Sequence, residues 1–223
     1  PDIAPQLLGE TPRLDARLTY ERGGLTVSHA RLDGAQLRAG VTGRIVRGEA
    51  NLSLEASARG PLNVGGAEIA GAVDATGRIS GRIARPTITA NATLSSFAAG
   101  GVVVERPNVR FTLAPAGAGY GGQAELDGRA MGQPLVASSQ IGVASGVITL
   151  SDLDGQLAGM QAQGSASFNS RGVTAALDVN GALNGLIPGV SGRLAGDLTL
   201  SPETLVLDAQ IADARAGELF GDW

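Results

Sequence analysis

The sequence predicts an all-β fold, built as a long, twisted, mostly antiparallel and repetitive ribbon. Apolar and polar residues alternate along much of the chain, as in Leu14–Ala16–Leu18–Tyr20, which is the pattern of a half-buried strand. Turn-forming sequences such as ERGG, NVGG and NSRG separate these runs. No window carries a convincing helical stripe, because the nearest candidates, PQLLGE and LNGLIPGV, are short and broken by Pro or Gly.

The alternation predicts strands in order along the chain. They are centred on residues 14–20, 37–45, 52–58, 69–75, 88–94, 109–113, 124–126, 148–150, 173–179, 198–200 and 205–211. Residues 32–60 form a weak repeat with residues 153–181, and the apolar phase is preserved between them. Repetition favours an array over a closed globular core. We therefore expect residues 1–223 to form a single repetitive segment of a longer protein.

The composition excludes several classes of function. The chain has 34 glycines, 3% aromatic residues and no cysteine, so disulfides and thiolate metal sites are excluded. Arginines and acidic residues are interspersed and the net charge is −4, which argues against nucleic-acid binding, because phosphate neutralisation needs a concentrated basic face. The sequence contains no signal peptide and no apolar run of membrane-spanning length. Any targeting element is expected to lie outside this segment.

Three motifs that carry chemistry in other proteins are predicted to be structural here. GAGYGG at 117–122 fits G-x-G-x-x-G, but an alternating run follows it where a dinucleotide site needs a helix. SDLDG supplies Asp152 and Asp154 of a calcium loop without its remaining ligands, so a turn is predicted. His29 is the only histidine, and its neighbours on one strand point to opposite faces, so they cannot complete a catalytic triad. We expect no enzyme activity, catalytic residue, metal or cofactor.

The apolar face of the predicted sheet consists of aliphatic and small side chains, which leave room above it. Strands stacked about 4.8 Å apart would form a ribbon on the order of 70 Å long, and curling would make it an apolar trough for acyl chains. A closed sandwich with an aliphatic core is the alternative. The predicted lining residues are Leu52, Leu54, Ile88, Leu94, Val109, Phe111, Leu113, Ile148, Leu150, Val173, Leu177, Val179, Leu205, Leu207 and Ile211.

Two stretches resemble a known family. GVITLSDLDGQLAGMQAQGSASFNSRGVTAALDVNG resembles the repeating unit of the AsmA-like superfamily, and ISGRIARPTITANATLSSFAAGGVVVERPNVRFTLAP is similar to the TamB family within it. The residues that carry the second resemblance are Gly81, Arg82, Ile83, Pro86, Ile88, Leu94, Val102, Val104, Pro107, Val109, Phe111 and Leu113.

The resemblance implies a fold, a location and a function. The fold is a U-shaped β-groove, or β-taco, with an apolar interior. The location is the periplasm of a Gram-negative bacterium, with an inner-membrane anchor in a part outside this segment. The function is phospholipid transport to the outer membrane, with assistance to outer-membrane protein assembly. The implied partners are phospholipid acyl chains, the outer-membrane barrel protein TamA and further repeats of the same chain.

Two other classes remain as alternatives. One is a β-solenoid adhesin or autotransporter passenger with a purely structural role, although the uneven turn spacing disfavours rungs of regular length. The other is a polysaccharide-active β-helix enzyme, which the scarcity of aromatic residues for sugar binding disfavours.

Overall fold

The computed structural model describes residues 4–64, 67–99, 102–169, 172–185, 189–216 and 219–221. Most of these residues lie in strands, and the neighbouring strands whose pairing is described run antiparallel to each other. A short helix, α1 (Ala4–Leu8), precedes the first strand. The predicted all-β, antiparallel and repetitive fold class is therefore confirmed. That residues 1–223 form one repetitive segment stays a prediction.

The chain divides into two compact units, Pro1–Gly117 and Ala118–Trp223. The strands of the first unit are β1 (Arg13–Glu21), β2 (Gly24–Asp33), β3 (Leu37–Val46), β4 (Glu49–Arg59), β5 (Leu62–Val64), β6 (Ala67–Arg82), β7 (Thr87–Ala99) and β8 (Val102–Ala116). They form a sheet in the order β1-β2-β3-β4-β6-β7-β8, with the short β5 paired to β6. Consecutive strands are neighbours because short turns join them as hairpins.

The second unit has the same construction. Its strands are β9 (Gly119–Ala130), β10 (Gln133–Ala144), β11 (Val147–Leu157), β12 (Met160–Asn169), β13 (Gly172–Ala182), β14 (Val190–Leu200), β15 (Leu205–Ala216) and β16 (Leu219–Gly221). They follow one another in the sheet in chain order, and a 3-10 turn, Leu183–Gly185, follows β13 directly.

In the first unit, the register aligns apolar residues into continuous rows of cross-strand neighbours. Paired residues of neighbouring strands share one face of a sheet, so each row lies on one face. One row across seven strands consists of Leu18, Val27, Gly43, Leu52, Ile79, Ile88 and Leu113. The next row consists of Ala16, Ala30, Val41, Leu54, Gly77, Ala90 and Phe111.

The second unit contains equivalent rows. One consists of Gly122, Ile141, Leu150, Ala166, Ala175, Leu200 and Leu205. Another consists of Leu126, Ala137, Gly155, Ala162, Val179, Gly196 and Ala209. A shorter row consists of Leu153, Gly164, Leu177, Leu198 and Leu207.

A β-bulge in β11 keeps its apolar residues on one face. The pairing of β11 with β12 shifts between Leu150 and Leu153, and Asp152 has a φ of 50°. The extra residue changes the parity of the alternation. Leu150 and Leu153 therefore both join apolar rows although they are three positions apart. The turn predicted at SDLDG is wrong, since this segment lies inside a strand.

Gly43 and Gly164, both inside strands, have backbone conformations that other residues rarely adopt. Gly43 has a φ of 135° and Gly164 a φ of 151°. A Cβ atom at Gly43 would overlap the carbonyl oxygen of Asn51, and one at Gly164 would overlap that of Ala176. Glycine within a strand marks a bend or a close backbone approach. Both sites therefore depend on the absence of a side chain.

Few side chains in the described residues are fully buried. Val27 and Leu52 are each 8% exposed and Ala50 is 4% exposed, and these three form a small cluster packed by Ile45 and Ile79. Many other apolar side chains stay partly exposed to solvent. Close packing in this part of the protein is therefore limited to a thin layer on one face of the sheet.

The predicted strand centres all fall within observed strands, but five observed strands have no counterpart among them. They are β2, β5, β10, β12 and β16. In β10, Ser139 occupies an apolar row opposite Ala124 and is only 9% exposed, so a polar residue interrupts the sequence pattern at a buried position. In β2, a register shift between Val27 and Ala30 interrupts it.

Candidate functional site

The candidate site is the apolar face of each unit, which we define as the face that carries the rows of apolar cross-strand neighbours. Every predicted lining residue belongs to one of these rows. In the first unit, Leu52, Ile88 and Leu113 share a row and Leu54 and Phe111 share the next. Val109 and Leu94 lie in the two rows that start from Leu14 and Leu37.

The remaining lining residues occupy the apolar face of the second unit. Ile148 and Val173 both pair with Phe168, and Leu150 and Leu205 lie in one row. Leu177 and Leu207 share a row through Leu198, while Val179 and Ile211 lie in the rows to one side of it. The structure thus brings these residues onto one face within each unit. Their contact with lipid stays a prediction.

Several members of the same rows are not among the predicted lining residues. Phe168, Leu194 and Leu198 lie beside predicted residues. Leu153 and Leu157 lie there too, because the bulge in β11 returns them to the apolar face. The pairing register between neighbouring strands places these residues in the apolar rows. The period-two pattern within one strand does not show which residues of the next strand lie beside it.

The side chains of the apolar face differ widely in their exposure to solvent. Leu52 is 8% exposed, whereas Ile148 is 40% exposed, Leu207 is 53% exposed and Leu205 is 66% exposed. Glycines and alanines alternate with the larger side chains along each row, for example where Gly164 lies between Leu153 and Leu177. Such a face is apolar and accessible to solvent.

The opposite face of the first unit is polar, and its side chains form hydrogen bonds and ion pairs with one another. Arg78 donates to Asn51 Oδ1 from Nε at 3.1 Å and from Nη2 at 2.9 Å. The Asp33 carboxylate forms ion pairs with Arg31 Nε at 3.1 Å and with Arg38 Nε at 3.6 Å. These exposed pairs contribute little to stability, but they keep this face hydrated.

His29 is engaged with a residue of the neighbouring strand. Its Nε2 lies 2.8 Å from Asp15 Oδ1, and the two side chains are 46% and 79% exposed. Asp33, the carboxylate on the same strand as His29, is instead paired with arginines. The His29–Asp15 pair is solvated on the polar face, away from the apolar rows.

The same polar face has a shallow depression of about 770 Å³, lined by groups that include Arg31, Arg38, Glu55, Asp74 and Asn91. Its lining mixes these charged and amide groups with small apolar residues such as Ala39 and Ala56, whereas the rows of the apolar face contain no charged residue. It is therefore a weaker candidate site than the apolar face.

The polar face of the second unit carries a row of acidic residues. Cross-strand neighbours in this row are Glu125, Ser138, Asp154, Gln163, Asp178, Asp197 and Asp208. The side-chain hydrogen bond with Asp178 is the main cause that raises the pKa of Asp197 above its ordinary value. The negative charge of Asp178, partial loss of hydration and the charge of Asp208 raise it further.

The described ranges contain no group of three or more His, Cys, Asp or Glu side chains arranged to hold a metal ion. They also contain no helix with the length and apolar character needed to cross a membrane.

No family model, curated protein or solved structure matches this chain.

Proposed function

We propose that this chain is a segment of a periplasmic bridge that carries phospholipid between the inner and outer membranes along its apolar face. The observation that supports it is the set of apolar rows that cross seven strands in each unit while charged residues occupy the opposite face. Such a face offers acyl chains a continuous path within each unit. No catalytic group is needed for lipid to diffuse along it.

The energetics favour a continuous path over a single pocket. Each methylene of an acyl chain that is exposed to water costs about 0.8 kcal/mol. A lipid that leaves one membrane therefore needs apolar contact at every step. Rows of Leu, Val and Ile with Gly and Ala between them provide that contact without selecting one chain length.

The exposed part of the apolar face also needs an explanation. Leu205 and Leu207 are neighbours on this face and more than half exposed. Contiguous exposed apolar surface marks a binding site in soluble proteins. Acyl chains fit this surface because they require neither hydrogen bonds nor a defined shape.

The resemblance to the AsmA-like superfamily and its TamB family supports the same proposal. It adds the periplasmic location, the inner-membrane anchor outside this segment, the partnership with TamA and with further repeats, and assistance to outer-membrane protein assembly. An apolar face with strand edges also suits transient contact with an unfolded outer-membrane strand.

A β-solenoid adhesin is less well supported, because solenoid rungs stack in parallel and the strand neighbours here are antiparallel.

Lipid capture by the purified chain tests the proposal. The chain is incubated with vesicles of phosphatidylethanolamine and phosphatidylglycerol, re-isolated by size exclusion and extracted, and bound phospholipid is measured by mass spectrometry. Leu198→Asp places a charge in an apolar row of the second unit, between Leu177 and Leu207, and we expect it to lower bound lipid at least fivefold.

Thr199→Asp is the matched control, since it puts the same charge on the adjacent residue of β14, which points to the opposite face. It should retain the wild-type amount of lipid. Circular dichroism establishes that both variants fold. Recovery of wild-type protein without lipid, or equal lipid loss in both variants, would overturn the proposal.

A further inference from the structure

The first strand of the sheet is exposed along its whole length. β1 pairs with β2 on one side, and the described residues supply no strand on its other side. Leu14 is 73% exposed, Leu18 55% and Tyr20 74%. An uncovered strand edge with apolar side chains is a template for pairing with another strand.

The strand β15 presents a second such edge. Its residues Leu205–Ala216 pair with β14, and β16 covers only Ala214–Ala216 on the outer side. From Leu205 to Ile211, the described ranges contain no strand on that outer side. Leu205 and Leu207 are 66% and 53% exposed.

The two edges match in sequence when they are aligned antiparallel. If Leu18 is set opposite Leu207, the alternating apolar residues of β1 from Leu14 to Tyr20 each meet an apolar residue of β15, because both strands alternate with period two. The resulting pairs are Leu14 with Ile211, Ala16 with Ala209, Leu18 with Leu207 and Tyr20 with Leu205.

The charges on the polar side match in the same alignment. Arg17 falls opposite Asp208, the last member of the acidic row. Among the described residues, neither Arg17 nor Asp208 has an ion pair with an opposite charge. The two units also differ in charge, because residues 1–117 contain 13 arginines and 10 acidic residues while residues 118–223 contain four arginines and 11 acidic residues.

We propose that copies of this chain associate edge to edge, with β15 of one copy pairing antiparallel with β1 of the next. Arg17 of one copy then neutralises Asp208 at the end of the acidic row of the other. The contact joins two different surfaces, so it is heterologous, and it extends the apolar rows from one copy into the next. This association depends on strand edges and charge, and it does not require the chain to bind lipid.

Disulfide crosslinking tests the proposed register directly, because the native chain has no cysteine. Thr19 and Val206 fall opposite each other in this alignment, so protein carrying Thr19→Cys is mixed with protein carrying Val206→Cys under mild oxidation. We expect disulfide-linked dimers to form at least tenfold faster than in a mixture of Thr19→Cys with Thr174→Cys. Thr174 is the control because it lies on the polar face of β13, inside the sheet.

A charge swap distinguishes the register from nonspecific adhesion. Adding Arg17→Asp to the Thr19→Cys protein should reduce crosslinking at least fivefold, and adding Asp208→Arg to the Val206→Cys partner should restore it. Sedimentation velocity of the cysteine-free chain should show association that weakens as salt increases. A monomer at all concentrations, or equal crosslinking with Thr174→Cys, would overturn the proposal and assign these edges to strands of another protein or of a longer chain.

Discussion

Gly164 in β12 and Leu177 in β13 are directly paired cross-strand neighbours on the apolar face of the second unit. A Cβ at Gly164 would lie 3.0 Å from the Leu177 Cα and would overlap the carbonyl oxygen of Ala176. The close approach of the two backbones excludes a side chain at position 164, and the φ of 151° also disfavours any residue other than glycine. Part of the high glycine content of this chain is therefore structural.

Gly164→Ala is therefore expected to destabilise the second unit. Backbone strain of this kind costs about 1–3 kcal/mol, and the overlap with β13 adds to it. Gly155→Ala is the control, since Gly155 has no positive φ and the nearest atom to its Cβ position is 3.7 Å away. Urea unfolding followed by circular dichroism should show a lower midpoint only for Gly164→Ala. Equal midpoints for the two variants would contradict the account.

Deletion of Asp152 should disrupt β11. Without the bulge residue, the segment before it or the segment after it must turn its apolar side chains to the polar face. We expect loss of the cooperative unfolding transition and rapid proteolysis within the second unit. Asp152→Gly keeps the residue count and accepts the φ of 50°, so it should unfold as the wild type does. A stable, protease-resistant deletion variant would show that the bulge does not set the register.

The acidic row predicts a specific pH dependence. Because the pKa of Asp197 is raised in the folded state, the folded chain binds this proton more tightly than the unfolded chain does. The contribution of Asp197 to stability therefore falls as pH rises from its ordinary pKa through the raised value, and it is unfavourable at neutral pH.

Asp197→Asn should accordingly raise the melting temperature at pH 7, and the gain should disappear toward pH 3, where the carboxyl group is protonated in both states. Differential scanning calorimetry across this range measures it. Asp152→Asn, which makes the same chemical change outside the row, should show no such gain. A melting temperature for Asp197→Asn that stays at or below the wild-type value at pH 7 is the contrary result.

The apolar face should divide into residues that stabilise the fold and residues that remain available to a ligand. Leu52 is 8% exposed, so Leu52→Ala is expected to cost about 2–5 kcal/mol. Leu207 is 53% exposed, so the identical substitution there should cost less than about 1 kcal/mol. Chemical unfolding curves measure both effects. Similar losses would mean that Leu207 is packed in the same way as Leu52.

Much of the fold and the candidate face could be predicted from the sequence. Strand alternation is a local signal, and it correctly placed residues such as Leu54, Ile88 and Leu177 on an apolar face. It works here because the sheet has one apolar and one polar side, so a slip of one residue would exchange them.

The alternation failed where one residue changes the parity of a strand. The bulge at Asp152 resembles a turn in sequence, because Asp is common in turns and tolerates a positive φ. The acidic row on the polar face of the second unit was missed for another reason. Acidic residues at Asp178, Asp197 and Asp208 are far apart in sequence, and only the pairing of β13, β14 and β15 makes them neighbours.

Photo-crosslinking at Leu177 tests the central claim most directly. The chain, exported to the periplasm of a Gram-negative host, carries a benzophenone amino acid at Leu177, which is half-buried on the apolar face. The control carries it at Asp178, the exposed adjacent residue that points to the opposite face. We predict phospholipid adducts at Leu177 and none at Asp178. Crosslinks from Leu177 only to neighbouring strands, or equal lipid labelling at both positions, would contradict lipid transport along the apolar face.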